Sequence, residues 1–163
     1  MALSVQEKRE LTDYNSGEPA IITHRNSTEE SDEYNVQLFV RTIIDHVPTY
    51  IESVQLILAF PATFPVSSPV VRVSQMRLFH PNFTADGFWR CNKMKNGEGI
   101  SDYMIRLVRA IQFQEVSSEY VADRNAMAWY NKRKESGLFP TDSTIYQPKP
   151  KIRIIKINES SDA

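Results

Sequence analysis

The chain has 163 residues, with 19 Lys or Arg against 20 Asp or Glu and a formal net charge of −1, so neither a basic nucleic-acid arm nor an acidic tail dominates it. With 41% hydrophobic residues and only 5 glycines, the composition is that of a globular domain, and a chain this long buries roughly 70% of its unfolded surface without staples. No stretch approaches the roughly 18 to 20 apolar residues of a membrane span. The opening residues do not read as a secretory signal, and the single cysteine, Cys91, excludes an internal disulfide or a multi-cysteine zinc site. A lone thiol fits a reducing cytoplasm.

The polar run from Ser4 to Tyr14 predicts a first helix, ended by Ser16-Gly17 and Pro19. Ile21 to His24 suits a strand, and Asn26 to Glu33 suits an exposed polar loop. Tyr34 to Ile44 carries the Val36, Leu38, Val40 alternation of a second strand, and Ile51 to Phe60 carries that of a third, stopped by Pro61. Val70 to Val73 is a short fourth strand, completing an antiparallel meander. From Phe60 to Gly99 the chain holds four of its nine prolines and little periodicity, and loops of such length in a compact domain are usually functional.

Helical spacing returns at Met104, Leu107, Val108 and Ile111, with Ser101 as candidate N-cap and Asp102 in the first turn. A last helix is predicted from Tyr120 to Ser136, with Ala122, Ala126, Trp129 and Tyr130 on one face and Gly137 as its stop. The basic tail from Pro148 to Ile157 suits an added edge strand. This order predicts an α+β domain over residues 1–147 and a tail over 148–163.

The loop reads Phe60-Pro-Ala-Thr-Phe-Pro-Val-Ser-Ser-Pro69, then Arg77-Leu-Phe-His-Pro-Asn82, then Asp86-Gly87 and Cys91. This resembles the ubiquitin-conjugating (E2) family, with its F-P-x-x-Y-P-x-x-x-P stretch, its H-P-N stretch and its nucleophilic cysteine soon after a glycine. The likeness runs from about Ile21 to Ser136. It implies a UBC-like fold with an N-terminal helix, a four-stranded antiparallel meander, a long active-site loop and C-terminal helices. It also implies a conjugating transferase that needs no cofactor or metal and carries a ubiquitin-like modifier, with an E1-like activating enzyme, an E3 ligase or a target protein as partners.

Two departures stand out. The family's cysteine is eight positions beyond the Asn of H-P-N, where this chain has Arg90, and Cys91 is nine beyond. The family's Trp-Ser-Pro before the next helix is replaced by Glu98-Gly99-Ile100. Either a compensating shift restores Cys91 as nucleophile, or Arg90 replaces it and the chain is an inactive binding variant. The departures suggest a lineage far from common eukaryotic enzymes, such as a bacterial conjugation system.

If the likeness extends to chemistry, Cys91 is the thioester-forming nucleophile, with Arg90, Lys93 and Lys95 favouring its thiolate. Asn82 is the candidate donor to the carbonyl oxygen that becomes negative, or else a brace of its own loop. His80 and Pro81 support that loop. Asp123 is the candidate carboxylate for the incoming amine, or simply a helix N-cap. His24 and His46 have no evident pairing with the thiol, which argues against a papain-like hydrolase. Trp89 and Arg90 are candidates for a groove that takes a modifier's tail, although an aromatic at this density also suits the core. Val66 stands where a ligase-contacting Phe is common, and Lys8 and Arg9 resemble the basic patch that meets the activating enzyme.

Overall fold

A computed structural model describes residues 3–15, 20–47 and 49–140. The expected tail strand lies outside the described residues. The first helix, α1 (Val5–Asn15), starts where predicted because Ser4 and Glu7 cap each other. The Glu7 N–H donates to Ser4 Oγ at 3.1 Å, and the Ser4 N–H donates to Glu7 Oε1 at 2.8 Å, which satisfies donors that a helix start leaves unpaired.

Six strands follow: β1 (Ala20–Ser27), β2 (Ser31–Leu38), β3 (Thr42–Asp45), β4 (Thr49–Ile51), β5 (Val54–Pro61) and β6 (Val70–Val73). An antiparallel sheet has the order β1-β2-β5-β6, while β3 and β4 pair separately. The meander is therefore as expected, with three corrections to its parts. The third predicted strand, Ile51 to Phe60, begins only at Val54, because Ile51 ends β4 and pairs with Thr42 in the small hairpin. The second predicted strand, Tyr34 to Ile44, breaks after Leu38, and its second half joins the small hairpin. The expected loop from Asn26 to Glu33 shrinks to its middle, because Ser27 pairs with Asp32 across the β1–β2 turn. The turn is locked by Thr28 Oγ1, which accepts from the Glu30 and Ser31 N–H groups at 3.1 Å each, and by a 2.6 Å bond from Ser27 Oγ to buried Asp32.

Strand β5 turns Val54, Leu56, Leu58 and Phe60 to the core, each almost fully buried. Full burial of such a side chain contributes roughly 1.5 to 3 kcal/mol. Over this face lies α2 (Ile100–Ile111), whose buried Ile100, Tyr103, Met104, Leu107, Val108 and Ile111 follow the period of one helical face. Helix α1 packs against α2 and β1. The N-cap of α2 is Gly99 and not Ser101, which lies inside the helix. The Gly99 carbonyl accepts from the Tyr103 N–H at 3.0 Å, so the helix begins two residues earlier than the hydroxyl at 101 suggests.

At its other end α2 closes with Phe113 at φ 63°. The Phe113 N–H reaches Ala110 O at 3.0 Å and the Gln114 N–H reaches Arg109 O at 2.8 Å, a Schellman closure that ordinarily uses glycine. The ring offsets the left-handed strain by burial: it lies 4.4 Å from the His80 ring and 4.9 Å from Phe139. Around it Ile43, Trp129 and Phe139 form a second small core, on which α3 (Arg124–Arg133) rests. Helix α3 is shorter than the predicted Tyr120 to Ser136, since Asp123 caps it at the start and the four residues before it belong to a braced loop. Among the described residues no helix is long and apolar enough to cross a membrane.

Candidate functional site

The long loop between β6 and α2 is pinned to the sheet at its middle. The Val73 N–H donates to Gly87 O at 2.9 Å and the Trp89 N–H donates to Val71 O at 3.0 Å. Residues 83 and 89 also pair across the loop, and the Arg90 N–H donates to Asn82 O at 2.9 Å. Arg90, eight positions beyond Asn82, therefore sits opposite it with an exposed side chain, and Cys91 follows half-buried. Trp89 is 2% exposed and meets Tyr103 edge-on at 5.6 Å. Its indole faces the core, so it does not wall a groove.

His80 is fully buried, and its Nε2 lies 2.6 Å from Ala110 O while its Nδ1 accepts from the Asn82 N–H at 3.0 Å. These partners assign the proton to Nε2. Burial lowers its pKa to about 4, against an opposing pull from the Ala110 carbonyl, so the ring is a neutral tie between the loop and α2. Pro81 contributes its carbonyl, which accepts from the Ala122 N–H at 2.7 Å and the Asp123 N–H at 3.2 Å.

Asn82 is 1% exposed and its side chain is fully engaged. Nδ2 donates to Ser117 O and to Tyr120 O, both at 2.9 Å, and Oδ1 accepts from the Ser117 N–H at 2.9 Å. Both amide hydrogens are committed to the 117–120 segment, the bracing geometry. A role as oxyanion donor requires one of those bonds to open.

The Cys91 thiol lies close enough to this braced segment for the Ser117 side chain to favour its ionised form. Burial pushes the thiol up from its ordinary range, and Arg106, Ser117 and Arg90 pull it back without overcoming that rise, which Glu115 reinforces. Of the expected cations Arg90 does favour the thiolate, but the net shift of the thiol is upward. The chief cation is Arg106, and desolvation outweighs it. Glu115 is a carboxylate whose charge reaches the thiol, and its Oε2 lies 3.5 Å from Arg109 Nη1. Asp123 Oδ1 caps α3 by accepting from the Ala126 N–H at 3.0 Å, and its other oxygen lies 4.0 Å from Arg77 Nη2.

Val66 is 92% exposed on the Phe60–Pro69 segment, Lys8 is half-buried on α1 and Arg9 is exposed. Near them a groove of about 920 Å³ is lined by Glu7, Phe64, Pro65, Met94, Gly99 and Tyr120. Among the described residues no three His, Cys, Asp or Glu side chains converge as a metal site. Sequence reasoning missed Arg106, Glu115 and Ser117. Only their nearness in space to Cys91 distinguishes them.

This α+β arrangement is the UBC-like fold. Among solved structures, S. cerevisiae Ubc12 is similar to the chain with a TM-score of 0.55, covering 80% of this chain and 72% of that one at 16% identity. The likeness is one of fold. No protein-family model matches the sequence, and no curated protein does.

Proposed function

We propose that the chain is an acyl carrier of the ubiquitin-conjugating type, holding a ubiquitin-like modifier as a thioester on Cys91 and passing it to an amine. The observation that carries this reading is the position of the one thiol, half-exposed on the residue after Arg90, whose N–H bonds to the Asn82 carbonyl, while the Asn82 side chain braces the Ser117 segment. In the first step the Cys91 thiol loses its proton to solvent, and its sulfur attacks the modifier's carbonyl carbon on an activating enzyme, whose own thiolate leaves. In the second step an amine attacks the new thioester, the Cys91 thiolate leaves, and the amine's excess proton passes to Glu115. Asn82, His80 and Pro81 hold the walls of the cleft. The raised thiol makes the resting protein a slow nucleophile, so engagement with the activating enzyme has to supply part of the activation. Val66 and the groove beside it, with Lys8 and Arg9, are the surfaces for ligase and activating enzyme, in a reducing cytoplasm. The two departures in the loop fit a bacterial conjugation system.

The test is incubation with a cognate activating enzyme, ATP and modifier. A modifier-sized adduct should form that dithiothreitol removes, that Cys91→Ala abolishes and that Cys91→Ser converts to a reductant-resistant ester. A second reading, a binding module without thioester chemistry, is favoured by one observation. The exposed side chain opposite Asn82 is Arg90. Modifier binding that survives Cys91→Ser, with no adduct in the parent protein, selects that reading.

A further inference from the structure

We infer that Arg106 is the positioning residue of the Cys91 loop, a guanidinium that fixes the main chain on either side of the sulfur and keeps a positive charge beside it. The inference rests on Cys91 as the reacting group. Arg106 lies on α2, where an arginine ordinarily points to water, yet its side chain is only 12% exposed. Nη1 donates to Cys91 O at 2.8 Å and Nη2 donates to Lys93 O at 2.9 Å. Nε and Nη2 reach the two oxygens of Glu98 at 2.9 and 3.1 Å. The guanidinium carbon is 5.0 Å from the Trp89 ring centre and 5.1 Å from that of Tyr103.

Four of the fork's N–H groups are thus aimed at the loop that begins with the cysteine. Four planar donors matched to two carbonyls and a carboxylate, beside two aromatic rings, are an arrangement that the point charge of a lysine cannot reproduce. A burial this complete is tolerated because Glu98 pairs with it. Burial works to raise the Glu98 carboxyl, but the Arg106 hydrogen bonds and charge, helped by Lys95, leave it lowered, so the pair is ionised at neutral pH. The groups facing the sulfur are Arg106 and Arg90, which favour the thiolate, Glu115, which opposes it, and the Tyr103 ring, whose hydroxyl is protonated. Arg106 is the largest favourable influence among them. It also bonds the cysteine's own carbonyl, so displacing it alters both where the sulfur sits and how readily it ionises.

Iodoacetamide labelling of the full chain across pH separates these effects, since the titration midpoint reports thiol acidity and the high-pH plateau reports access. Arg106→Met is expected to raise the midpoint by about one unit, the scale of losing a nearby opposite charge, and Arg106→Lys to recover part of that shift while its plateau still differs from the parent. Glu98→Gln, which leaves the guanidinium without its neutralising carboxylate, is expected to move the midpoint the other way, by about half a unit. If Arg106→Met does not fold, as judged by cooperative thermal unfolding, Glu98→Gln decides alone. Midpoints within about 0.2 unit of the parent, or a Glu98→Gln shift upward, overturn the inference. No modifier is needed for these measurements. Altered midpoints with no thioester in the parent count against the carrier reading only, and thioester formation with unaltered midpoints counts against Arg106 only.

Discussion

Replacing Asn82 by Ala is the sharpest perturbation of the cleft. It removes two donated hydrogen bonds, to Ser117 O and Tyr120 O, and one accepted from the Ser117 N–H. Each intramolecular hydrogen bond contributes about 1 kcal/mol net, and a partner left buried and unpaired costs more. Ser117 is only half-buried and Tyr120 is exposed, so water can reach the freed groups and the lower figure applies. Three bonds then amount to about 3 kcal/mol, or a fall of about 6 to 12 °C in Tm for a chain of this size. Thermal unfolding followed by circular dichroism measures the fall, and hydrogen exchange at the Ser117 amide locates it. Asn82→Asp should lose at least as much at neutral pH, because a carboxylate would then face two carbonyl oxygens, and should regain part of it on acidification. A Tm within about 2 °C of the parent with unchanged Ser117 protection would refute the bracing role and return the amide to the reaction.

Three further outcomes are expected. His80 ionises only near pH 4 in the folded state but near 6.5 when unfolded, so the unfolded chain takes up its proton first. Stability should therefore decline as pH falls from about 6.5 to 4, by roughly 3 kcal/mol from this group alone, and His80→Gln should flatten that stretch of a urea-midpoint profile. Gly87→Ala should destabilise by more than about 1 kcal/mol, since φ is 95° and a Cβ would lie 2.6 Å from Val73 O. An unchanged urea midpoint for this variant would show that the loop is not pinned there. Cys91 should label with iodoacetamide more slowly than a free cysteine peptide at pH 7.5 and match it in urea, and equal rates without denaturant would contradict the burial of the thiol.

Much of the fold is visible in the sequence where burial and period coincide. The α2 face and the alternation of β5 are both direct consequences of one-sided packing, and Val70–Val73 ends where the apolar run ends. The break between β2 and β3 is invisible for a specific reason. Val36, Leu38, Val40 and Thr42 are all buried while Phe39 and Arg41 are exposed, so the alternation continues unbroken although the strand changes partner. Of the site, His80, Asn82 and Cys91 come from local motifs that the loop preserves. Arg106 and Glu115 do not, because a charged residue on a helix and one just past its end are indistinguishable in sequence from solvated surface. The eight-residue interval from Glu98 to Arg106 spans a loop and a helix start, so no helical spacing rule connects them.

The attachment of residues 87–89 to β6 bears on how this molecule can assemble. Because the Val73 N–H and the Val71 carbonyl are taken by the chain's own loop, that border of the sheet offers no row of free amides to an incoming strand. Recruitment by strand addition, and the fibrillar stacking that begins the same way, are closed off along that side. Any companion protein must bind there through side chains, and the small residue at 87 is what lets the barrier lie close enough to form.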